Sequence, residues 1–140
     1  MRRIPVSSAI RLYAAVGAGS ALGAVARHAC AVAFATAPGA FPWTTLGVNG
    51  LGAFLIGAIA AATADGARFP ASPALRQFLV AGFCGGFTTF SIFSLETIRL
   101  AQTGHTDRAA LYVTLSLVVW MVAVRAGYRT VVRTGASRGR

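Results

Sequence analysis

Ionisable chemistry is scarce in this 140-residue chain. Its acids are Asp65, Glu96 and Asp107, and its histidines are His28 and His105. The two histidines stand far apart and lack metal-ligand spacing. No glycine-rich phosphate loop follows a strand pattern, and no Ser/His/Asp arrangement suggests a nucleophile. Cys30 and Cys84 both fall in apolar runs without partner spacing, the usual setting of inert small hydrophobes. Catalysis inside an apolar chain would need ionisable groups there. Their near absence favours passive transport or a structural role over an enzyme.

Uncharged groups carry more information. The run Gly82-Phe-Cys-Gly85-Gly86-Phe87-Thr88-Thr89-Phe90-Ser91-Ile92-Phe93-Ser94 puts three glycines and two adjacent threonines inside an apolar segment. Glycine costs a helix interior about 1 kcal/mol relative to alanine, and threonine is also poor. A helix broken near Gly85–Thr89 would free backbone carbonyls, good ligands for a small cation such as Na⁺. Close helix packing through Gly82 and Gly86 explains the same glycines, and locally both readings stand. Phe90 and Phe93 are three apart, on one helical face. Packing is the ordinary use of such a pair, but ring edges are electropositive and can meet an anion. Asn49 is a lone amide in the apolar run Val48–Gly57. Its two N–H donors suit an anion, while an interhelical hydrogen bond is the plainer role. Thr44 and Thr45 open that segment and read as helix caps. Gly50 and Gly57, like Gly19 and Gly23, offer smooth faces for close approach. Arg27 follows Gly23 by four residues and marks a vestibule or a snorkelling side chain. Tyr112 and Ser116 share a face at i, i+4 and form a polar track or a bridge between helices. Trp120 continues that face.

Four membrane-spanning helices must position these groups. Charged residues make up 11% of the chain, against roughly 25% in soluble domains. Hydrophobic residues reach 56%, and the mean hydropathy is +0.66. Uncharged runs cover 12–26, 28–64, 77–95 and 109–124. A span needs about 20 apolar residues, so 28–64 is too long for one and divides at Pro38-Gly39 and Pro42. The spans expected are roughly 9–35, 43–64, 74–102 and 107–132 of a single membrane domain, 1–140. Short connections make neighbouring helices antiparallel. Arg2, Arg3 and Ala35-Thr36-Ala37 mimic a signal peptide, but the stretch is too long and contains Arg27. The formal charge is +10, all of the excess being arginine. The arginines sit mostly at helix ends and in the tail, which suits anionic headgroups better than nucleic acid.

Together these segments resemble the CrcB/Fluc family of fluoride channels. The resemblance covers nearly the whole chain. It is strongest at GFCGGFTTFSIFSLE, 82–96, then at Gly47-Val48-Asn49, then at Gly19-Ser-Ala-Leu-Gly23-Ala-Val-Ala-Arg27. It implies an all-α integral membrane protein with four transmembrane helices, the third broken near its middle, assembled as an antiparallel dual-topology dimer. It also implies passive export of fluoride down its electrochemical gradient, protection from fluoride toxicity, and residence in the cell's inner (plasma) membrane. Phe90 and Phe93 match the aromatic pair lining the fluoride pathways, and Asn49 the amide facing them. Thr89 and Ser91 belong to the same run. Tyr112 and Ser116 match a polar track, and Glu96 a carboxylate near the pathway end. Gly85 and Thr88 match positions whose backbone carbonyls, from both subunits, hold a central structural Na⁺. The chain departs from the family pattern at Ile92, where Thr or Ser is common, at His28, where an aromatic is, and at Trp120, where a serine is.

The rival reading is a small four-helix proton-coupled drug or cation exporter. Such exporters need a carboxylate within the membrane, typically in the first span, and that span has none here. A non-transporting assembly subunit is a second rival. Orientation sets two arguments against each other. Ten arginines (2, 3, 11, 68, 76, 125, 129, 133, 138 and 140) fall on the side of the termini and three (27, 99 and 108) on the other. The positive-inside rule then places both termini in the cytoplasm, whereas an antiparallel homodimer requires both orientations. A paralogue of opposite bias is the other route to an antiparallel pair.

Overall fold

The computed structural model describes residues 5–37, 39–64 and 71–136. Pro38, Asp65 and the arginines at 2, 3, 68, 138 and 140 lie outside the described residues. Helices α1 (Val6–Ala33), α2 (Trp43–Ala62), α3 (Pro73–Gln77), α4 (Gly85–Phe87), α5 (Phe90–Gln102) and α6 (Thr106–Ala136) account for most of them, and none of the described residues is a strand. A π-helical segment, Phe78–Cys84, joins α3 to α4. Four stretches are long and apolar enough to cross a bilayer: Val6–Ala33, Trp43–Ala62, Pro73–Gln102 and Thr106–Thr134. In lipid every backbone group must be satisfied internally, which leaves helices as the economical solution.

Glycines set which helices meet. A Cβ on Gly19 would lie 2.3 Å from the Phe78 carbonyl oxygen, and one on Gly23 2.2 Å from that of Phe83. Across the contact, a Cβ on Gly86 would lie 2.3 Å from the Ser20 oxygen. Backbones of α1 and the third span therefore touch with no room for a methyl group. The same device joins α2 to α6, where a Cβ on Gly57 would lie 2.0 Å from Val124 O and one on Gly127 2.0 Å from Phe54 O. Gly50 faces the Val119 side chain on the same side of α2. The packing role of Gly82 and Gly86 thus holds alongside the helix break; the two readings are not exclusive.

The buried core gathers where α2, α5 and α6 converge: Leu46, Phe93, Leu100, Ala109 and Tyr112, with Phe41, Val119 and Trp120 against it. Elsewhere the molecule presents apolar side chains outward, including Tyr13, Val25, Phe90, Leu117, Met121 and Val122. Such a surface suits lipid or a protein partner, not water.

Candidate functional site

The third span is interrupted at its centre. Helix α4 ends at Phe87; Thr88 (φ −79°, ψ 161°) and Thr89 (φ −148°, ψ 120°) are extended, and α5 restarts at Phe90. Local composition weakens the helix here, and a side chain 40 residues away holds it open. Asn49 Oδ1 accepts from Thr89 N–H at 2.8 Å, and its Nδ2 donates to Thr89 C=O at 2.9 Å. The amide so clasps both backbone polar groups of one extended residue. Thr89 in turn caps α5, its Oγ1 accepting from Ile92 N–H at 3.2 Å.

These two diversions have a consequence for the carbonyls. In an unbroken helix Thr89 N–H would bond Gly85 C=O, and Ile92 N–H would bond Thr88 C=O, by the i→i−4 rule. Both donors are spent elsewhere, on Asn49 and on the Thr89 hydroxyl. Gly86 C=O loses its donor at the break too, and Arg27 Nε supplies one at 3.3 Å. The glycine backbone at 85 is exposed, and Thr88 is partly so. Neutral oxygens released in this way have the donor chemistry a small hard cation requires.

A second polar cluster surrounds Glu96, partway along α5. Oε1 accepts from Thr45 Oγ1 at 2.9 Å, and Oε2 accepts from the Tyr112 hydroxyl at 2.8 Å. Thr44 donates instead to Phe34 C=O. The expected capping role of Thr44 and Thr45 is therefore corrected. Pro42 takes the N-cap place of α2 with no side-chain cap, and both hydroxyls, inside the first turn, reach partners on other segments. Arg27, Thr45, Thr89 and Glu96 line one cavity of about 120 Å³. Glu96 also borders a cavity of about 340 Å³ that includes Arg99, Thr103 and residues of the α1–α2 connection. The carboxylate sits between the two spaces.

Phe93 anchors an aromatic cluster. Its ring lies 5.1 Å from Tyr112, 5.1 Å from Trp120 and 5.6 Å from Phe90, centroid to centroid. Phe93 is 7% exposed, while Phe90 is 72% exposed. Tyr112 and Ser116 are fully buried. The Ser91 hydroxyl lies 3.3 Å from that of Thr89.

A family model described as CrcB-like protein, camphor resistance (CrcB), matches residues 14–128. The chain belongs to this CrcB-like family. It is 47% identical over 117 residues to "Fluoride-specific ion channel FluC 1" of Bradyrhizobium diazoefficiens, covering 84% of this chain and 82% of that one. A protein of the same name from Rhodopseudomonas palustris is 44% identical over 129 residues, 91% and 92% of the two chains. "Fluoride-specific ion channel FluC" of Opitutus terrae is 42% identical over 129 residues, 91% and 98% of the two chains.

In this CrcB-like chain the candidate residues fall into three neighbouring groups. Asn49, Thr88, Thr89, Ser91, Gly85 and Arg27 surround the break; Glu96 and Tyr112 meet through a hydrogen bond; Phe90, Phe93 and Ser116 belong to or adjoin the aromatic cluster. Thr45 as a partner of Glu96, and Phe41 packed edge-on against Tyr112 at 5.4 Å, were not legible from spacing. The Thr45–Glu96 pair spans 51 residues, and nothing within either local window signals it.

Proposed function

We propose that the chain is a fluoride-selective channel conducting F⁻ passively down its electrochemical gradient, and that its role is to rid the cell of fluoride. The observation that carries this is the run of relatives named fluoride-specific ion channel, matched over most of their length. The site geometry supports it. Fluoride is compact and costly to dehydrate, so a pore must replace its water with donors while binding it weakly enough to release it. Hydroxyls of Ser91 and Ser116, the remaining N–H of Asn49, and the ring edges of Phe90 and Phe93 are neutral groups of that kind, while the Tyr112 hydroxyl is held by Glu96. Arg27 lends positive potential to the cavity it shares with Glu96 and Thr89. Chloride, being larger, is served poorly by a narrow path of this kind. The chemistry needs no bond making, so the chain acts as a transporter and not as an enzyme.

The same reading extends to assembly. Phe90 stands exposed beside the buried Phe93, so a pathway using both rings needs a further surface to cover it. A second, antiparallel copy or an oppositely oriented paralogue supplies one. A structural Na⁺ at the axis of that pair would be held by the carbonyls of Gly85 and Thr88, whose usual helical donors are spent. The membrane is the inner (plasma) membrane, crossed four times by each copy.

The test is efflux from liposomes containing the purified protein alone. Fluoride is expected to leave quickly and chloride hardly at all. Equal efflux of the two ions refutes selectivity, and no efflux from folded dimers refutes the channel. Preparation with a cation larger than Na⁺ is expected to lower fluoride efflux; unchanged efflux removes the Na⁺ assignment.

A further inference from the structure

Arg125, Arg129 and Arg133 recur at intervals of four on α6 and so follow one helix face. Like charges at that spacing repel one another unless an anion lies between them. Among the described residues none supplies it. Glu96 is held by Thr45 and Tyr112, and Asp107 lies in the first turn of α6, at its opposite end. Arg27 and Arg108 each donate to a backbone carbonyl. The three arginines of this face have no such partner among the described residues.

Two grooves flank the inner pair. One, of about 460 Å³, runs between α2 and α6, where Ile56, Ala60, Val124 and Tyr128 line it with Arg125 and Arg129. The other, of about 420 Å³, uses the face of α6 beyond the same two arginines, over Val122, Ala126 and Thr130. Depth gives the pair its meaning. Gly50 meets Val119 and Gly57 meets Val124, so α2 and α6 run parallel. That register sets Arg125 beside Ile56 and Arg129 beside Ala60. At 20 residues, α2 is about one hydrocarbon thickness long. Its end at Ala62 marks the membrane surface, and Arg125 stands about 9 Å inside it. A guanidinium at that depth is costly unless it reaches an anion.

We propose that Arg125 and Arg129 clasp the phosphate of one anionic diacyl phospholipid, whose acyl chains lie in the two grooves. The guanidinium fork matches phosphate oxygens in two-point contact. Diffuse attraction between surface charges and headgroups does not reach the level of Arg125, whereas a headgroup drawn down by both arginines does. A soluble phosphate would neutralise the pair but leave both grooves unfilled, so the occupant is a lipid. Its chain on the α2 side covers the seam where the backbones touch at Gly57 and Gly127. Lipid occupancy is thereby tied to the stability of the α2–α6 contact, whatever ion the chain conducts.

Thermal unfolding of the full chain in detergent, with lipid titrated in, tests the site. Phosphatidylglycerol is expected to raise the melting temperature saturably. Phosphatidylcholine, which has the same tails and phosphate but no net charge, is expected to act about tenfold more weakly, the scale of a hydrogen bond to a charged group. No rise with phosphatidylglycerol, or equal effects of the two lipids, overturns the proposal. A response to soluble glycerol phosphate that matches the lipid's also overturns it, because the occupant would then be a free anion. These arms use the parent chain and depend on no variant's folding. The paired substitutions Arg125→Gln and Arg129→Gln are expected to weaken phosphatidylglycerol about tenfold or more. Arg11→Gln with Arg76→Gln removes the same charge from the same side of the membrane, by helix order, and is expected to leave the titration near that of the parent. Equal losses in the two double variants mean diffuse attraction and overturn the site.

Discussion

Single residues carry two duties in this molecule, and variants separate them. Asn49 is 6% exposed and spends its oxygen and one N–H on the Thr89 peptide. Asn49→Ala removes both bonds, each worth about 0.6–2 kcal/mol between membrane helices. It is expected to lower the melting temperature in detergent as well as the fluoride efflux. A variant of undiminished stability and efflux would show that the clasp is dispensable. Phe93→Ile isolates the ring: an aliphatic side chain fills space without an electropositive edge. Efflux is expected to drop while the gel-filtration profile stays that of the parent, and normal efflux would return Phe93 to plain packing. The sequence made both residue types visible because a lone amide and a pair of rings stand out in an apolar run. It could not show that Asn49 grips Thr89, or that Thr45 and Tyr112 both reach Glu96. Those contacts join positions 40, 51 and 16 residues apart, and only the packing of helices brings them together.

At the scale of elements, legibility follows the solvent. Lipid demands long apolar helices with internal hydrogen bonds, so four spans could be read from charge spacing. The break was foreshadowed by glycine and threonine, whose helix penalty is local. The π-helical turn Phe78–Cys84 was not, because it depends on how the third span fits against Gly19 and Gly23. Glycine contacts are likewise tertiary facts, and they make a prediction of their own. A methyl group on Gly57 would press on Val124 O and must displace backbone, whereas Gly17 has nothing within 4 Å of its Cβ position. Gly57→Ala is expected to destabilise the α2–α6 contact by about 1–3 kcal/mol. Gly17→Ala is expected to be neutral or stabilising by up to about 1 kcal/mol. Thermal unfolding in detergent reads both, and equal melting temperatures would mean that the α2–α6 crossing yields readily.

For the molecule as a whole the open question is which way it enters the membrane. Arg99 and Arg108 lie at the end where the α1–α2 connection meets α6, with Arg108 Nη1 donating to Gly39 C=O at 3.3 Å. Arg125, Arg129 and Arg133 lie toward the other end of α6, and Arg11 and Arg76 belong with them by helix order. Arg27, drawn inward to Gly86, is tied to the break more than to headgroups. The full chain sets ten arginines against three, a bias that by itself holds the termini in the cytoplasm. Leaving out Arg138 and Arg140, close to the C-terminus, still leaves eight against three. A dual-topology homodimer needs a bias near zero, so charge and assembly pull in opposite directions. C-terminal reporter fusions, one active on each side of the membrane, decide between them when this chain is expressed alone. Signal on both faces is expected if one sequence builds both halves of the antiparallel pair. Signal confined to the cytoplasmic face would eliminate the homodimer and require an oppositely oriented paralogue. In that case purified chain alone would fail to conduct, and adding the partner would restore fluoride efflux.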